Sequence, residues 1–277
     1  MTLPPGAGNA RRLGGGDINE AYRVTLADGR EAFVKSRSEP APGEYEAEAV
    51  GLAWLSEPGL VRTPGVLEVA GDYLALEWIG PGRLSEAGAE ELGRVLAGTH
   101  AAGAQAFGAP PGAPAETGFG SLRLGNETAG DWPTFYAERR LLPLAAVAGE
   151  RGSLSGRGVS LVERVCSRLA QLTGPAEPPA RLHGDLWSGN VMADAGGRPW
   201  LIDPSAYGGH REMDLAMLRL FGSPSERIFD AYEELAPLAE GWQERVGLCQ
   251  LAPLLVHAAL FGGSYGAAAE RAAAPYV

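Results

Sequence analysis

The apolar pattern of this chain changes period once, near residue 80. Upstream it alternates. Tyr22-Arg23-Val24-Thr25-Leu26 and Glu31-Ala32-Phe33-Val34-Lys35 flank the turn Ala27-Asp28-Gly29-Arg30 and read as a hairpin. Val66–Val69 and Tyr73–Ile79 read as two more strands around Ala70-Gly71-Asp72. Between the two pairs, Glu44–Leu55 has helical composition, with Ala49, Leu52, Ala53 and Leu55 on an apolar face. Beyond Gly80-Pro81-Gly82 the spacing becomes helical, with Leu92, Val95, Leu96 and Thr99 leading to His100. Helices are expected again over Trp132–Leu142 and Val159–Leu172, and then through most of the C-terminal third, with breaks at Pro224, Pro237 and Pro253. Residues 101–131, rich in Gly, Ala and Pro, read as a long functional or mobile loop. The expectation is an α+β chain in two lobes. Residues 1–79 form a small antiparallel β-sheet lobe with one main helix, and residues 80–277 a larger, mainly helical lobe.

Composition narrows the partners. The formal net charge is -11 and the pI about 4.9. Such a surface repels phosphate backbones and anionic lipid, so neither nucleic acid nor membrane is an expected partner. The first sixteen residues lack the apolar core of a signal peptide, and Leu251–Phe261 is too short to span a bilayer. The two cysteines, Cys166 and Cys249, suggest buried thiols rather than a disulfide framework or metal site. A cytoplasmic location follows as an expectation. Among 23 basic residues Lys35 is the only lysine. Arginine replaces lysine freely where a charge is merely solvated, but not where a compact ammonium must fit a tight site. Lys35 is therefore a candidate functional residue on composition alone.

Chemistry is concentrated in His183-Gly184-Asp185-Leu186-Trp187-Ser188-Gly189-Asn190 and, after a short hairpin, Leu201-Ile202-Asp203-Pro204. Phosphoryl transfer from ATP needs a carboxylate to orient the attacking hydroxyl and hard oxygen ligands for Mg²⁺. Asp185 suits the first role as catalytic base. Asn190, five residues on, and Asp203, beyond the hairpin, suit the second. Upstream, the glycine run that includes Gly15 and Gly16 could let backbone N–H groups approach phosphates. Lys35 would pair with the α/β-phosphates and with a helix glutamate. Of Glu44, Glu46 and Glu48, the last lies on the core side of its helix. Glu77, Trp78 and Ile79 would form the hinge whose backbone meets adenine. Trp187, two residues past the base, is a candidate to stack on the acceptor, beside Asp185 itself. His210 and Asp214 read as a structural brace for the catalytic loop, and His100 and His257 as core histidines.

These motifs resemble the fructosamine (ketosamine) kinase family, a branch of the protein-kinase-like fold that includes aminoglycoside and choline kinases. The resemblance spans nearly the whole chain. Its segments include GGDIN at 15–19, FVK at 33–35, EAVGLAWL at 48–55, RTPGV at 62–66, DWPTFYAERRL at 131–141, HGDLWSGN at 183–190 and DPSAYGGHREMDLAM at 203–217. It implies phosphorylation by ATP and Mg²⁺ of the 3-hydroxyl of a ketoamine sugar, a deglycation-type repair. Two stretches depart from the family pattern: Gly125-Asn126-Glu127-Thr128-Ala129-Gly130, in the expected substrate loop, and Leu96-Ala97-Gly98-Thr99-His100. The alternatives are a kinase for another hydroxyl substrate, such as an aminoglycoside or amino alcohol, and a nucleotide-binding pseudokinase. The presence of Lys35, Asp185, Asn190 and Asp203 together argues against the last.

Overall fold

A computed structural model of the chain describes residues 2–14, 19–119, 122–222 and 225–277. The alternating segments form one antiparallel sheet. Its strands are β1 (Gly8–Arg12), β2 (Glu20–Thr25), β3 (Glu31–Ser36), β4 (Val66–Ala70) and β5 (Tyr73–Glu77), in the order β1-β2-β3-β5-β4. Helix α1 (Glu44–Ser56) crosses one face. Strand period decides what that face carries. Ala32 and Val34 point to one side and pack with Tyr22, Val24, Tyr73 and Ala75. Phe33, Leu74 and Leu76 point to the other and meet Tyr45 and Leu52 of α1. Lys35 shares the side of Phe33, so an ammonium is delivered to the α1 face by register alone. Strand β1, polar and exposed along its length, carries no apolar alternation that a sequence reading could detect.

Helix α2 (Glu86–Ala102) opens the helical part. Ser85 caps it by accepting the Gly88 N–H at 2.9 Å. Residues 101–131, expected to be loop, contain a small hairpin of β6 (Glu116–Phe119) and β7 (Leu122–Gly125). Then come α3 (Trp132–Tyr136), a π turn over Ala137–Leu141 and α4 (Leu142–Glu150). The helix expected over 159–172 is two, α5 (Gly156–Cys166) and α6 (Leu169–Leu172), although Leu161, Val162, Val165 and Leu169 keep one buried face across the break.

Three short pairings follow. Strand β8 (Ala180–Leu182) leads into His183; β9 (Val191–Ala193) pairs with β10 (Pro199–Leu201); β11 (Tyr207–Gly209) returns to pair with β8. Both loops that carry the motif residues are thus pinned at each end by backbone hydrogen bonds. Helices α7 (Glu212–Leu220), α8 (Arg227–Leu235), α9 (Trp242–Phe261) and α10 (Tyr265–Ala273) complete the chain. Among the described residues no helix is long and apolar enough to cross a membrane.

Pro253 does not break its helix as expected. It lies inside α9, where proline removes one i→i−4 hydrogen bond. The Tyr136 hydroxyl, itself buried, takes up the loose groups. It donates to the Leu248 carbonyl at 2.7 Å, lies 3.3 Å from the Cys249 carbonyl that proline leaves without its donor, and accepts the Ala252 N–H at 3.3 Å. Removing one partner of a buried polar group costs about 1–3 kcal/mol. Tyr136→Phe should therefore destabilise the fold by about that amount, read as a lower urea midpoint with an unchanged slope. An unchanged midpoint would show that α9 accommodates Pro253 without the hydroxyl.

Candidate active site

The site begins with the Lys35 ammonium. Its Nζ forms an ion pair with Glu48 of α1 and donates to Asp203 Oδ1 at 2.9 Å. Glu48 lies one helical turn from Leu52 and three residues from Tyr45, so it shares their inward stripe. Glu44, a turn earlier, pairs with Arg37 instead. Glu46 makes no ion pair among the described residues. Burial would lower the Lys35 ammonium, but the carboxylates of Asp203 and Glu48 more than reverse that and hold it firmly charged. Burial pushes Glu48 up, with Lys35 pulling it back. The confinement around Asp203 likewise raises its carboxyl, and the Lys35 ammonium outweighs this, so the net shift is downward.

The second part is the loop after β8. Gly184 takes φ +82, and a Cβ there would stand 2.0 Å from the Ser205 carbonyl oxygen, so the position admits only glycine. Asp185 follows directly. Asn190 Nδ2 donates to the Asp185 carbonyl at 2.8 Å and to Asp185 Oδ2 at 3.2 Å, which ties the two ends of the loop together. Burial, reinforced by the Asp203 carboxylate, pushes the Asp185 carboxyl up to about 7. A carboxyl perturbed in this way inside a cleft marks a functional-site candidate. Asp203 itself adopts φ +52, a left-handed conformation that is rare for any residue but glycine, asparagine and aspartate. Backbone strain of this kind gathers at functional sites.

A brace holds the loop from below. Asp214 of α7, completely buried, accepts the His183 N–H at 2.7 Å and the Gly184 N–H at 2.9 Å. His100 Nε2 lies 3.3 Å from the same carboxylate, and His100 Nδ1 lies 2.8 Å from the Tyr232 hydroxyl. Burial would raise the Asp214 carboxyl, but His100 and the donated N–H groups bring it below the usual range. His100 is therefore more than a core histidine: it connects α2, α7 and α8 at the foot of the site. The bond was invisible in sequence because 114 residues separate the partners. His210 takes no part in this brace. It packs against Trp132, with ring centroids 6.1 Å apart, and accepts the Glu212 N–H at 3.4 Å.

Lys35, Glu48, Asp185, Asn190 and Asp203 line one cavity of about 1000 Å³ between the sheet and the helices. Trp187 lines it too, 38% exposed. Its indole lies flat over Gly189, where a Cβ would come within 2.2 Å of the ring. Beyond it Phe221, His257 and Tyr265 continue an aromatic wall, with Trp187 edge-on to Phe221 at 6.1 Å. His257, expected in the core, belongs to this wall. Glu77, Trp78 and Ile79 are not in the cavity lining. The Glu77 N–H is spent on the Gly65 carbonyl at 2.8 Å, the Trp78 ring lies under Arg23 at 4.6 Å, and Ile79 is buried. Ala21 and Phe33 line the cavity from the sheet, Met192 from β9 and Ile202 from just after β10. Gly15 and Gly16 lie outside the described residues.

The donor set suits a phosphate-bridged divalent cation. Asp185, Asp203 and Glu48 carry three carboxylates against one ammonium, an excess of negative charge. Yet among the described residues no three His, Cys, Asp or Glu side chains are grouped closely enough to hold a metal by themselves. A carboxylate and an amide oxygen, completed by substrate phosphates and water, suit the way Mg²⁺ is usually held. Comparison with known proteins places the chain in a family. The chain matches the fructosamine kinase family over residues 6–276. It is 39% identical to a protein of Thermus thermophilus named probable ketoamine kinase, over 96% of this chain and 93% of that one. It is 34% identical to a chloroplastic protein-ribulosamine 3-kinase of Arabidopsis thaliana, over 93% and 79%. A crystal structure from Thermobifida fusca, provisionally described as a fructosamine-3-kinase, superposes with a TM-score of 0.88 at 44% identity, covering 97% of this chain and 94% of that one. The choline kinase LicA of Streptococcus pneumoniae superposes at 0.65 with 17% identity, covering 98% and 93%, which shows the shared protein-kinase-like fold. With the match running almost end to end, the chain belongs to the fructosamine kinase family and is an ATP-dependent phosphotransferase.

Proposed function

We propose that this enzyme phosphorylates the 3-hydroxyl of ketosamines, the fructosamine or ribulosamine adducts formed between sugars and amines, as a deglycation-type repair kinase. The observation that carries the reading is the convergence of Lys35, Asp185, Asn190 and Asp203 on one cavity wall, 168 residues apart at the extremes. The relatives' names support the substrate class. Residues 1–79 serve as the nucleotide-holding lobe and 80–277 as the catalytic and acceptor lobe. A cytoplasmic location is consistent with the two free cysteines.

The chemistry follows from the side chains. Lys35, oriented by Glu48, holds the α/β-phosphates. Asp203 and Asn190 would hold Mg²⁺, which when bound neutralises the phosphate charge. The acceptor's 3-hydroxyl lies against Asp185. Its oxygen bonds to the γ-phosphorus as the bond from that phosphorus to the β,γ-bridging oxygen breaks. The hydroxyl proton passes to the Asp185 carboxylate, and ADP leaves with the bridging oxygen. Trp187 offers a flat apolar surface to the sugar. The Asp214 brace fixes the Asp185 backbone, so the carboxylate reaches the hydroxyl without reorganising the loop.

Three substitutions test these roles. Lys35→Arg keeps the charge but brings a planar fork into a point-charge site, and should lose most of its turnover. Near-normal turnover would remove Lys35 from the mechanism. Asp203→Asn should need far more Mg²⁺ for half-maximal rate with the fold intact, because the amide lacks the charge a hard cation needs. Unchanged Mg²⁺ dependence would reduce Asp203 to a turn residue. Asp185→Asn should lower kcat by roughly 10²–10⁴-fold while ATP affinity barely moves, since general-base contributions are of that size. The wild-type product, analysed by NMR, should carry phosphate on carbon 3 of a ribulosamine or fructosamine. Phosphorylation of an aminoglycoside or choline with no ketosamine turned over would discard the substrate class and keep the phosphotransferase.

A further inference from the structure

Three arginines are buried among the described residues: Arg140, Arg181 and Arg245. Arg181 pairs with Glu57 at 2.8 Å and Arg245 with Glu212 at 2.5 Å. Arg140, at 3% exposure the most enclosed of the three, makes no ion pair with any described carboxylate. Its sequence neighbour Arg139, more exposed, pairs with Glu127 and Glu138. Every polar partner of Arg140 is neutral. Nη1 donates to the Gly125 and Arg139 carbonyls, each at 2.9 Å, and Nη2 to Asn126 Oδ1 at 2.6 Å, and the guanidinium also hydrogen-bonds the Tyr207 hydroxyl. The stacked rings of Phe135 and Tyr207 lie together beside the guanidinium, with both centroids 4.6 Å from Cζ. A guanidinium stays charged in a protein, and an enclosed charge without a counter-ion is costly even when π faces offset part of the cost. The residue also lies in the π turn between α3 and α4, an irregularity frequent at functional sites.

The position of this cation gives it a use. Arg140 and Asn126 both line the cavity that holds Asp185. Tyr207 bridges the two: one side of its ring faces the guanidinium, and its Cδ1 would be 3.0 Å from a Cβ on Gly184, the residue before Asp185. A fixed positive charge thus lies one aromatic ring away from the catalytic segment. In the adduct of a sugar with a free amino acid, a carboxylate lies a few bonds from the 3-hydroxyl. Carboxylate is an anion whose geometry a guanidinium matches well.

We propose that Arg140 is the receptor for a carboxylate on the acceptor, so that the enzyme selects ketosamines of free amino acids over neutral or purely cationic ketosamines. This deepens the ketosamine reading above and rests on it. Asn126 and the two carbonyls hold the guanidinium, and the incoming carboxylate supplies the counter-ion the protein does not. Gly125-Asn126, in the stretch that departs from the family pattern, supplies two of the acceptors that aim it.

The test compares two ligands that differ only in that charge, the ribulose adducts of glycine and of glycinamide. Binding is measured by calorimetry and phosphorylation on the same samples. Wild type should bind the glycine adduct roughly 10- to 100-fold more tightly, the size of charge-assisted hydrogen bonds. Arg140→Gln should bring the two Kd values together. Asn126→Asp is the companion variant: it keeps the side-chain shape and gives the guanidinium an internal carboxylate, so it too should abolish the preference. Unchanged ATP affinity confirms that each variant is folded. Equal affinities in wild type, or an intact preference in Asn126→Asp, would overturn the receptor. Turnover of both adducts alongside equal affinities would overturn the receptor and leave the ketosamine reading standing. Phosphorylation of neither adduct would overturn the ketosamine reading and the substrate class with it.

Discussion

The Lys35 ammonium connects the parts of this protein that must act together. It is rooted in β3, paired with Glu48 on α1 and bonded to Asp203 in the loop after β10. One charge therefore fixes the distance between the sheet, its helix and the helical part of the molecule. Burying an ammonium is unfavourable unless it is paired and hydrogen-bonded, and here two carboxylates meet that requirement. Removing the ammonium would leave two buried carboxylates facing each other without a counter-charge, so the arrangement acts as a unit. Its electrostatics also suit ATP. The carboxylates outnumber the ammonium, and the imbalance is of the sign a divalent cation corrects.

The Asp214 brace does for the catalytic loop what Lys35 does for the lobes. Successive N–H groups of His183 and Gly184 would have no helix or strand partner, and a buried N–H without an acceptor is expensive. One carboxylate accepts both, and His100 and Tyr232 hold that carboxylate in turn. The chain of bonds reaches from α2 through α7 to α8, so three helices are tied to the loop that carries Asp185. Preorganisation of this kind would let Asp185, the proposed base, act without loop movement at the moment of reaction.

Polar groups that interrupt regular structure follow the same accounting. Pro253 would break α9, yet Tyr136 supplies the hydroxyl that restores the loose carbonyls. The π turn over Ala137–Leu141 aims Arg140 at the cavity, where its charge has no protein counter-ion among the described residues. In the first case the protein satisfies its own irregularity. In the second a neutral cradle positions a charge for an incoming group in the same cavity that Trp187 and Phe221 line.

The sequence by itself determined the local elements and the chemistry they carry. Strand alternation placed Lys35 at the end of β3, helical spacing placed Glu48 on the stripe of Leu52, and the spacing of His183–Asn190 with Asp203 marked the reacting segment. These are short-range properties, written in periods of two and 3.6 residues. The irregular pieces were not legible. Strand β1 has no apolar face, β8 and β11 are three residues each and exist only as partners for one another, and Pro253 ends a helix on every local rule. The side chains of the segment Glu77–Ile79 were not legible either: the Glu77 N–H meets Gly65 and the Trp78 ring turns toward Arg23, while the hinge expected there concerns backbone groups. Tertiary structure alone decided which histidine braces the loop, which hydroxyl repairs α9 and which buried arginine lacks an anion, because each depends on groups far apart in the chain whose contact no local pattern encodes.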